Sequence, residues 1–259
     1  MEAIHRLWDE MADFGADQAQ AATRHLKSTL CREVGAWNAT WGGAVRLEKG
    51  PFHSSTDDPL GGWRVAVTQL LHPIAPRSEE GPFRDILDQW DRREIDPSFL
   101  LPMRSVGQFR NYSFRRDLPP EWFDSPFYRS HYASIGVHDA VFVGFPINAD
   151  AESHFGFYSH QTFRQADIDL LSYALRSLKW FHRQIMLTSG VLIAESPLTP
   201  AEHRVLKLLL TEASEKQIAE QIGLAVSTVH QYVVTVFRKY GVNSRAGLMS
   251  LWLAQPRQE

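Results

Sequence analysis

Three small or branched residues near the C-terminus constrain this chain more than any other feature. Ala219, Gly223 and Val229 follow one another at intervals of four and six residues, between two segments of helical periodicity. A small residue at 219 lets two helices cross closely. A glycine at 223 permits the left-handed backbone that a tight connection can require. A branched apolar residue at 229 packs back onto the first helix, and Ile218, Ile222 and Leu224 complete the seam. The spacing predicts a helix near 215–222, a short turn and a helix near 227–240. Two more helices bracket the pair. Upstream, Thr199 precedes Pro200 and stands three residues before Glu202, a capping box with proline at the first helical position. Val205, Leu206, Leu209 and Leu210 give that helix its buried stripe. Downstream, Ser244 caps a fourth helix that reaches Leu253.

The third helix divides into two faces. Val229, Tyr232, Val233, Val236, Phe237 and Tyr240 recur at helical spacing and are predicted to face inward. Ser227, Thr228, His230, Gln231, Val234, Thr235 and Arg238 lie opposite. That face is polar, modestly basic and of a size to enter a DNA major groove, as the second helix of a helix-turn-helix does. Gln231 suits an adenine edge, His230 a guanine and Val234 a thymine methyl. Thr199, Lys216, Thr228, Arg238, Lys239, Ser244 and Arg245 are candidates for phosphate contacts, which position a protein on DNA without reading sequence.

Through LTPAEHRVL, KQIAEQIGL, STV and FRKYGVNSRAGL, in that order, residues 198–252 resemble the LuxR-type four-helix DNA-binding domain. The resemblance implies a transcription regulator with double-stranded DNA as a partner. The chain departs from the family pattern at Gln217, where Glu is usual, at Ala225, where a capping Ser is usual, and at Tyr232, where His is usual. His230, Gln231 and Val233 replace basic residues common on the DNA face.

Charge is distributed in keeping with that reading. The chain of 259 residues carries a net charge of -3, yet residues 198–259 hold seven basic and five acidic residues, against 20 and 25 in the remainder. The sign matches a DNA-binding tail on an acidic body. The length suits two domains: a sensing and dimerising domain at 1–187, a linker at 188–197 that Pro197 helps to close, and the helical domain at 198–259. A single cysteine, Cys31, allows no internal disulfide. With no long apolar run, a cytoplasmic protein with no membrane partner is expected.

Residues 2–34 are predicted helical, with Gly15 able to divide them. Strands are predicted in AWNATWGGAVRLE, WRVAVTQLL and QFRNYSF, and residues 49–62 read as loop. Phe83, Ile86, Leu87 and Trp90 share one face of a helix near 82–94. AVFVGFPIN and HFGFYSH form a strand pair across the turn ADAES, followed by one helix over 165–187 with Ile168, Leu171, Leu175, Leu178, Phe181 and Ile185 as its stripe. The order predicts an α+β domain, an antiparallel sheet flanked by helices. The stretch YASIGVHDAVFVGFPINADAESHFGFYSH with its following helix is similar to GAF- or PAS-like α-β-α sandwich sensors, including the autoinducer-binding domains of quorum-sensing regulators. That resemblance implies a small-molecule ligand and a homodimer. The acyl-homoserine-lactone signature does not transfer, since Asp58-Pro59 and Asp96-Pro97 lack the accompanying Trp. Trp41, Trp63, Trp90, Tyr112 and Phe114 are candidates to line an apolar pocket, with Trp37 and Trp122 beside them.

No receiver-type acidic pattern, GxSxG, P-loop or GxGxxG occurs, and the eleven histidines show no helical metal-ligand spacing. No catalytic residue, metal or cofactor is expected. The same features admit a second reading: a protein-interaction regulator whose helix-turn-helix no longer binds DNA strongly.

Overall fold

Strand parity decides which residues meet. In β1 (Asn38–Arg46), Ala39, Trp41 and Val45 join one apolar core, while Thr40, Gly42 and Ala44 face the other way. β4 (Asp139–Asn148) and β5 (Ala151–Ser159) divide alike: Val141, Val143, Phe155 and Phe157 enter the first core, and Ala140, Phe142 and Tyr158 the second. The computed structural model describes residues 2–46, 58–74, 82–191 and 198–253. Most of the expected linker at 188–197, including Pro197, and most of the expected loop at 49–62 lie outside them.

With β2 (Trp63–Leu70) and β3 (Arg110–Ser113), these strands form one antiparallel sheet in the order β2-β1-β5-β4-β3. The first face carries α1 (Glu2–Ala12), α2 (Ala19–Val34), α7 (Gln165–Arg176) and α8 (Lys179–Thr188). The second carries α3 (Pro82–Arg92) and the short helices α4 (Pro97–Leu100), α5 (Phe114–Asp117) and α6 (Pro126–His131). The architecture is α+β, as the element order predicts. Gly15 stands at the head of a short turn, 16–18, that separates α1 from α2.

Two local expectations are corrected. The turn ADAES shrinks to residues 149–150, because Ala151 already pairs with Asn148. The single helix over 165–187 breaks after Arg176: Leu178 leaves helical geometry at φ -94°, ψ 37°. Its stripe runs unbroken through the break, with Leu175, Leu178, Phe181 and Ile185 all buried. A stripe that survives a break hides it from any periodicity argument. The cause is polar: Leu175 O accepts from the Leu178 amide and from the buried ring of His182.

One buried charge has no carboxylate partner among the described residues. Lys27 of α2 is 2% exposed and donates its ammonium to Gln69 O of the edge strand at 2.5 Å. Burial pushes its pKa down to about 8. The unfolded chain therefore binds the extra proton more tightly, and stability rises with pH from about 8 to 10.5. Lys27→Met removes that burden and one hydrogen bond, so at pH 7 urea denaturation is expected to show a gain of about 2 kcal/mol and a flatter alkaline profile.

The C-terminal helices are α9 (Pro200–Leu209), α10 (Glu215–Ile222), α11 (Val226–Lys239) and α12 (Arg245–Leu253). The predicted capping box at Thr199 and Glu202 is formed, with Pro200 in the first turn. Gly223 closes α10 at φ 68°, and α11 starts at Ala225 with no side-chain cap. Val205, Leu206, Leu209, Ile218, Ala219, Val229, Val233, Val236, Tyr240 and Leu248 make the third core. Leu187 of α8 belongs to it, and the Tyr240 hydroxyl donates to Leu187 O. The helical module thus seats on the end of α8.

Candidate ligand cavity and nucleic-acid interface

A cavity of about 200 Å³ lies between the second face of the sheet and α3. Its floor is the even-numbered parity of the strands: Thr40, Gly42 and Ala44 of β1, His154, Gly156 and Tyr158 of β5, Phe142 of β4 and Tyr112 of β3. A bulge adjusts the edge strand. Gly43 pairs with Val67 but Ala44 pairs with Val65, so the slip brings Val65 onto the cavity side beside Thr68 and Leu70. Gly156 is required where the floor narrows, since a Cβ there would stand 2.7 Å from the Phe142 ring and 3.0 Å from Thr40 Cγ2. A Cβ at Gly42 would meet nothing closer than 3.6 Å.

The predicted stripe of α3, Phe83, Ile86, Leu87 and Trp90, forms the facing wall. Polar bonds hold that helix at both ends. Asp85 meets His131 Nε2 of α6 at 2.5 Å and accepts from Gln89. Trp90 Nε1 donates to Trp63 O at 3.1 Å. Beyond α3, Arg93 takes a left-handed backbone, φ 62°, and bridges the carbonyls of Trp90 and Trp63 to Asp58. Burial opposes the charge on Asp58, but the Leu60 and Gly62 amides and Arg93 prevail and hold its pKa below the ordinary value.

Of the residues singled out in sequence, Trp90, Tyr112 and Phe114 line this cavity. Trp41 does not. Its odd parity sends it into the first core, fully buried, where Nε1 donates to Ser153 Oγ. Trp63 is buried beside the cavity and supports Trp90 through its carbonyl, but does not line it. Trp37 and Trp122 pack around the second core without lining the cavity. Tyr132, Phe142, His154 and Tyr158 do line it and were not singled out. For His154 and Tyr158 the signal lay in the alternation of HFGFYSH, whose even positions share one face.

Charge near the cavity is internally balanced. Glu152, 2% exposed, accepts from both terminal nitrogens of Arg110 at 2.9 and 2.6 Å, from the Gly107 amide at 2.8 Å and from His154 Nε2 at 3.0 Å. Burial disfavours its charge, yet His154 and Arg110 outweigh it and bring its pKa down to about 2. Among the described residues no cluster of His, Cys, Asp and Glu could hold a metal ion, and no helix is long and apolar enough to cross a membrane.

On the helical module, Ser227, His230, Gln231, Val234 and Arg238 are exposed along one side of α11, with Thr228 and Thr235 half-buried. Val229, Val233, Val236 and Tyr240 occupy the buried side. His230 Nδ1 meets Glu215 Oε2 at 3.0 Å. The phosphate candidates separate into groups. Lys216 and Arg238 are exposed. Thr199 and Ser244 cap helices, accepting from the amides of Glu202 and Gly247. Lys239 pairs with Glu202 at 2.8 Å. Arg245 donates to the carbonyls of Leu208, Leu209, Thr211 and Ala213 and so closes the C-terminal end of α9. Those carbonyls lie at and just beyond the end of α9, where an α-helix leaves its last carbonyls without the i+4 amide. Arg245→Ala is therefore expected to cost about 2–3 kcal/mol of stability, read by thermal melting, and to leave the salt dependence of any DNA binding unchanged.

Solved structures with comparable chains include the VqsR LBD domain of Pseudomonas aeruginosa, at 13% identity and a TM-score of 0.47, covering 72% of this chain and 95% of that one. Escherichia coli SdiA aligns at 11% identity and a TM-score of 0.46, covering 96% and 94%. SdiA in complex with octanoyl-rac-glycerol aligns at 12% and 0.43, covering 96% and 92%. No curated protein sequence matches the chain significantly. Residues 196–252 match the family of bacterial regulatory proteins, luxR family, and the C-terminal part of this chain is accordingly a luxR-family domain.

Proposed function

We propose that this chain is a ligand-responsive transcription regulator that works in the cytoplasm. It binds double-stranded DNA as a homodimer through α11, and its N-terminal domain holds a small molecule that governs the binding. The luxR-family match over 196–252 carries the reading, because it falls on the module whose third helix leaves a polar side exposed. The apolar cavity in the other domain supports the sensing half. A route between them exists where Tyr240 and Leu187 join the third core to α8. In this reading the exposed Ser227, Gln231 and Val234 meet base edges, and the exposed Lys216 and Arg238 meet phosphates.

Fluorescence anisotropy with duplexes selected from a random pool tests this. Affinity is expected to fall steeply with salt, and the selected sites to show dyad symmetry. Replacing Lys216 and Arg238 together with Ala removes four phosphate contacts from the dimer and should reduce the salt slope by about four and weaken binding at least about tenfold, with melting unchanged. A folded protein that binds no duplex in a salt-sensitive way overturns the DNA reading and favours a protein partner.

A further inference from the structure

Three tyrosines meet in the cavity with their hydroxyls unused. Tyr112, Tyr132 and Tyr158 come from β3, from the turn after α6 and from β5. They are 9%, 5% and 2% exposed, and all three line the cavity. None of the three hydroxyls has a hydrogen-bond partner among the described residues. Other buried tyrosines here are satisfied: Tyr128 donates to Val137 O and Tyr240 to Leu187 O. Each hydroxyl keeps accessible surface while its residue lines the cavity, so the three are donors left available to the oxygen atoms of an occupant. Burial raises the pKa of each phenol, so the hydroxyls stay protonated as donors.

The rest of the wall limits what that acceptor belongs to. Among the described residues His154 is the only titratable lining side chain besides the tyrosines, and Glu152 already engages it. An ionised ligand group would therefore find no opposite charge to offset its desolvation. The space is somewhat larger than the roughly 150 Å³ cavity that holds benzene, so a single ring fits it. Aromatic rings dominate its sides, Trp90, Phe99 and Phe142 among them, and rings pair favourably with rings.

Resting on the sensing half of the proposed function, we infer that the cavity takes a compact, uncharged aromatic compound whose carbonyl and phenolic oxygens between them accept hydrogen bonds from Tyr112, Tyr132 and Tyr158. Specificity then divides between two features. The tyrosines select the oxygen, and the ring-lined walls select a flat body over an alkyl chain.

Titration calorimetry of the full chain tests the assignment with five probes: 4-hydroxyacetophenone, cyclohexyl methyl ketone, 2-octanone, 4-hydroxybenzoate and tyramine. Gly42→Ile is the control, since its side chain has room to grow into the cavity and isoleucine suits a strand. The aryl ketone is expected to bind most tightly and to lose binding in Gly42→Ile. Tyr112→Phe, Tyr132→Phe and Tyr158→Phe should each weaken it about fivefold to tenfold, with melting little changed. Tyrosine variants that leave its affinity intact overturn the inference. So does stronger binding of the alkyl ketone, the carboxylate or the ammonium; when that binding is lost in Gly42→Ile, the cavity remains a sensor of another class. If no probe binds in a manner sensitive to Gly42→Ile, the inference and the sensing half of the proposed function fail together, and DNA binding is scored separately by anisotropy.

Discussion

Acidification from pH 7 to pH 3 is expected to remove up to about 5 kcal/mol of stability through one residue, His182. The ring is fully buried, stacks on Phe145 at 4.4 Å and meets the Phe155 ring edge-on. Its bonds fix the tautomer. Nε2 faces a carbonyl, Leu175 O, at 3.1 Å and must donate. Nδ1 then accepts from Ser153 Oγ at 2.8 Å, while that oxygen accepts from Trp41 Nε1 at 2.9 Å. A neutral ring satisfies every partner; a protonated ring would confront the Ser153 hydroxyl with a second donor. Burial lowers the pKa to about 3 from an ordinary 6.5. The folded state therefore resists the proton that the unfolded chain accepts below pH 6.5, so stability is full above that value and declines until the folded ring titrates near 3. At pH 5 the loss is about 2 kcal/mol. Urea denaturation at pH 7, 6, 5 and 4 measures it. His182→Phe should lower stability at pH 7 but flatten the slope between pH 6 and 4; an unchanged slope would show that the acid lability lies elsewhere.

The same relay shows what the sequence could and could not reveal. Local signals were legible. The Thr199–Glu202 box and Gly223 are decided by a few adjacent residues, and they form as read. The stripe of α3 was legible because a period of 3.6 leaves its mark within three turns. The break at Leu178 was not, because its determinant is a ring reaching back seven residues to a carbonyl, and apolar spacing is blind to that bond. Arg245 shows the same limit. A basic residue at the head of a helix reads as a phosphate contact, but its partners are carbonyls 32 to 37 positions earlier.

Trp41 teaches a different lesson. Residue type alone makes it a pocket candidate, but parity is the better guide: Thr40, Gly42 and Ala44 alternate with it and leave the cavity floor open. A large side chain on a central strand is as well suited to the opposite core, and only the placement of helices on both faces settles which side is which. Tyr132 lay beyond such reasoning because it follows a short helix in a segment with no period to read.

Breaking the Arg110–Glu152 pair is the second large effect expected. The two residues stand on β3 and β5, with β4 between them. Arg110 crosses that strand at Gly144, where a Cβ would come within 2.9 Å of the His154 ring and 3.4 Å of the guanidinium carbon. The absent side chain is therefore what lets the charges meet. Glu152→Ala strands a guanidinium that is 9% exposed, together with the Gly107 amide and His154. A buried charge left without its partner costs about 3–5 kcal/mol, and denaturation should register a loss of that order. Replacing Arg110 and Glu152 together with Met removes both charges and should cost less than Glu152→Ala alone. The linkage has its own window: with the carboxyl held near 2 against an ordinary 4.5, its stabilisation is complete above pH 4.5 and is lost as pH falls toward 2. That window opens below the onset of the His182 effect, so the decline between pH 6.5 and 4.5 belongs to His182 and the two losses add between 4.5 and 3. Because His154 and Tyr112 line the cavity and Arg110 lies on the strand that carries Tyr112, Glu152→Ala should also weaken ligand binding. The double Met variant, which keeps β3 paired with β4, should recover stability before it recovers affinity, since His154 is then left without the carboxylate that orients it. Equal recovery of both would show that the pair braces the sheet and does nothing more.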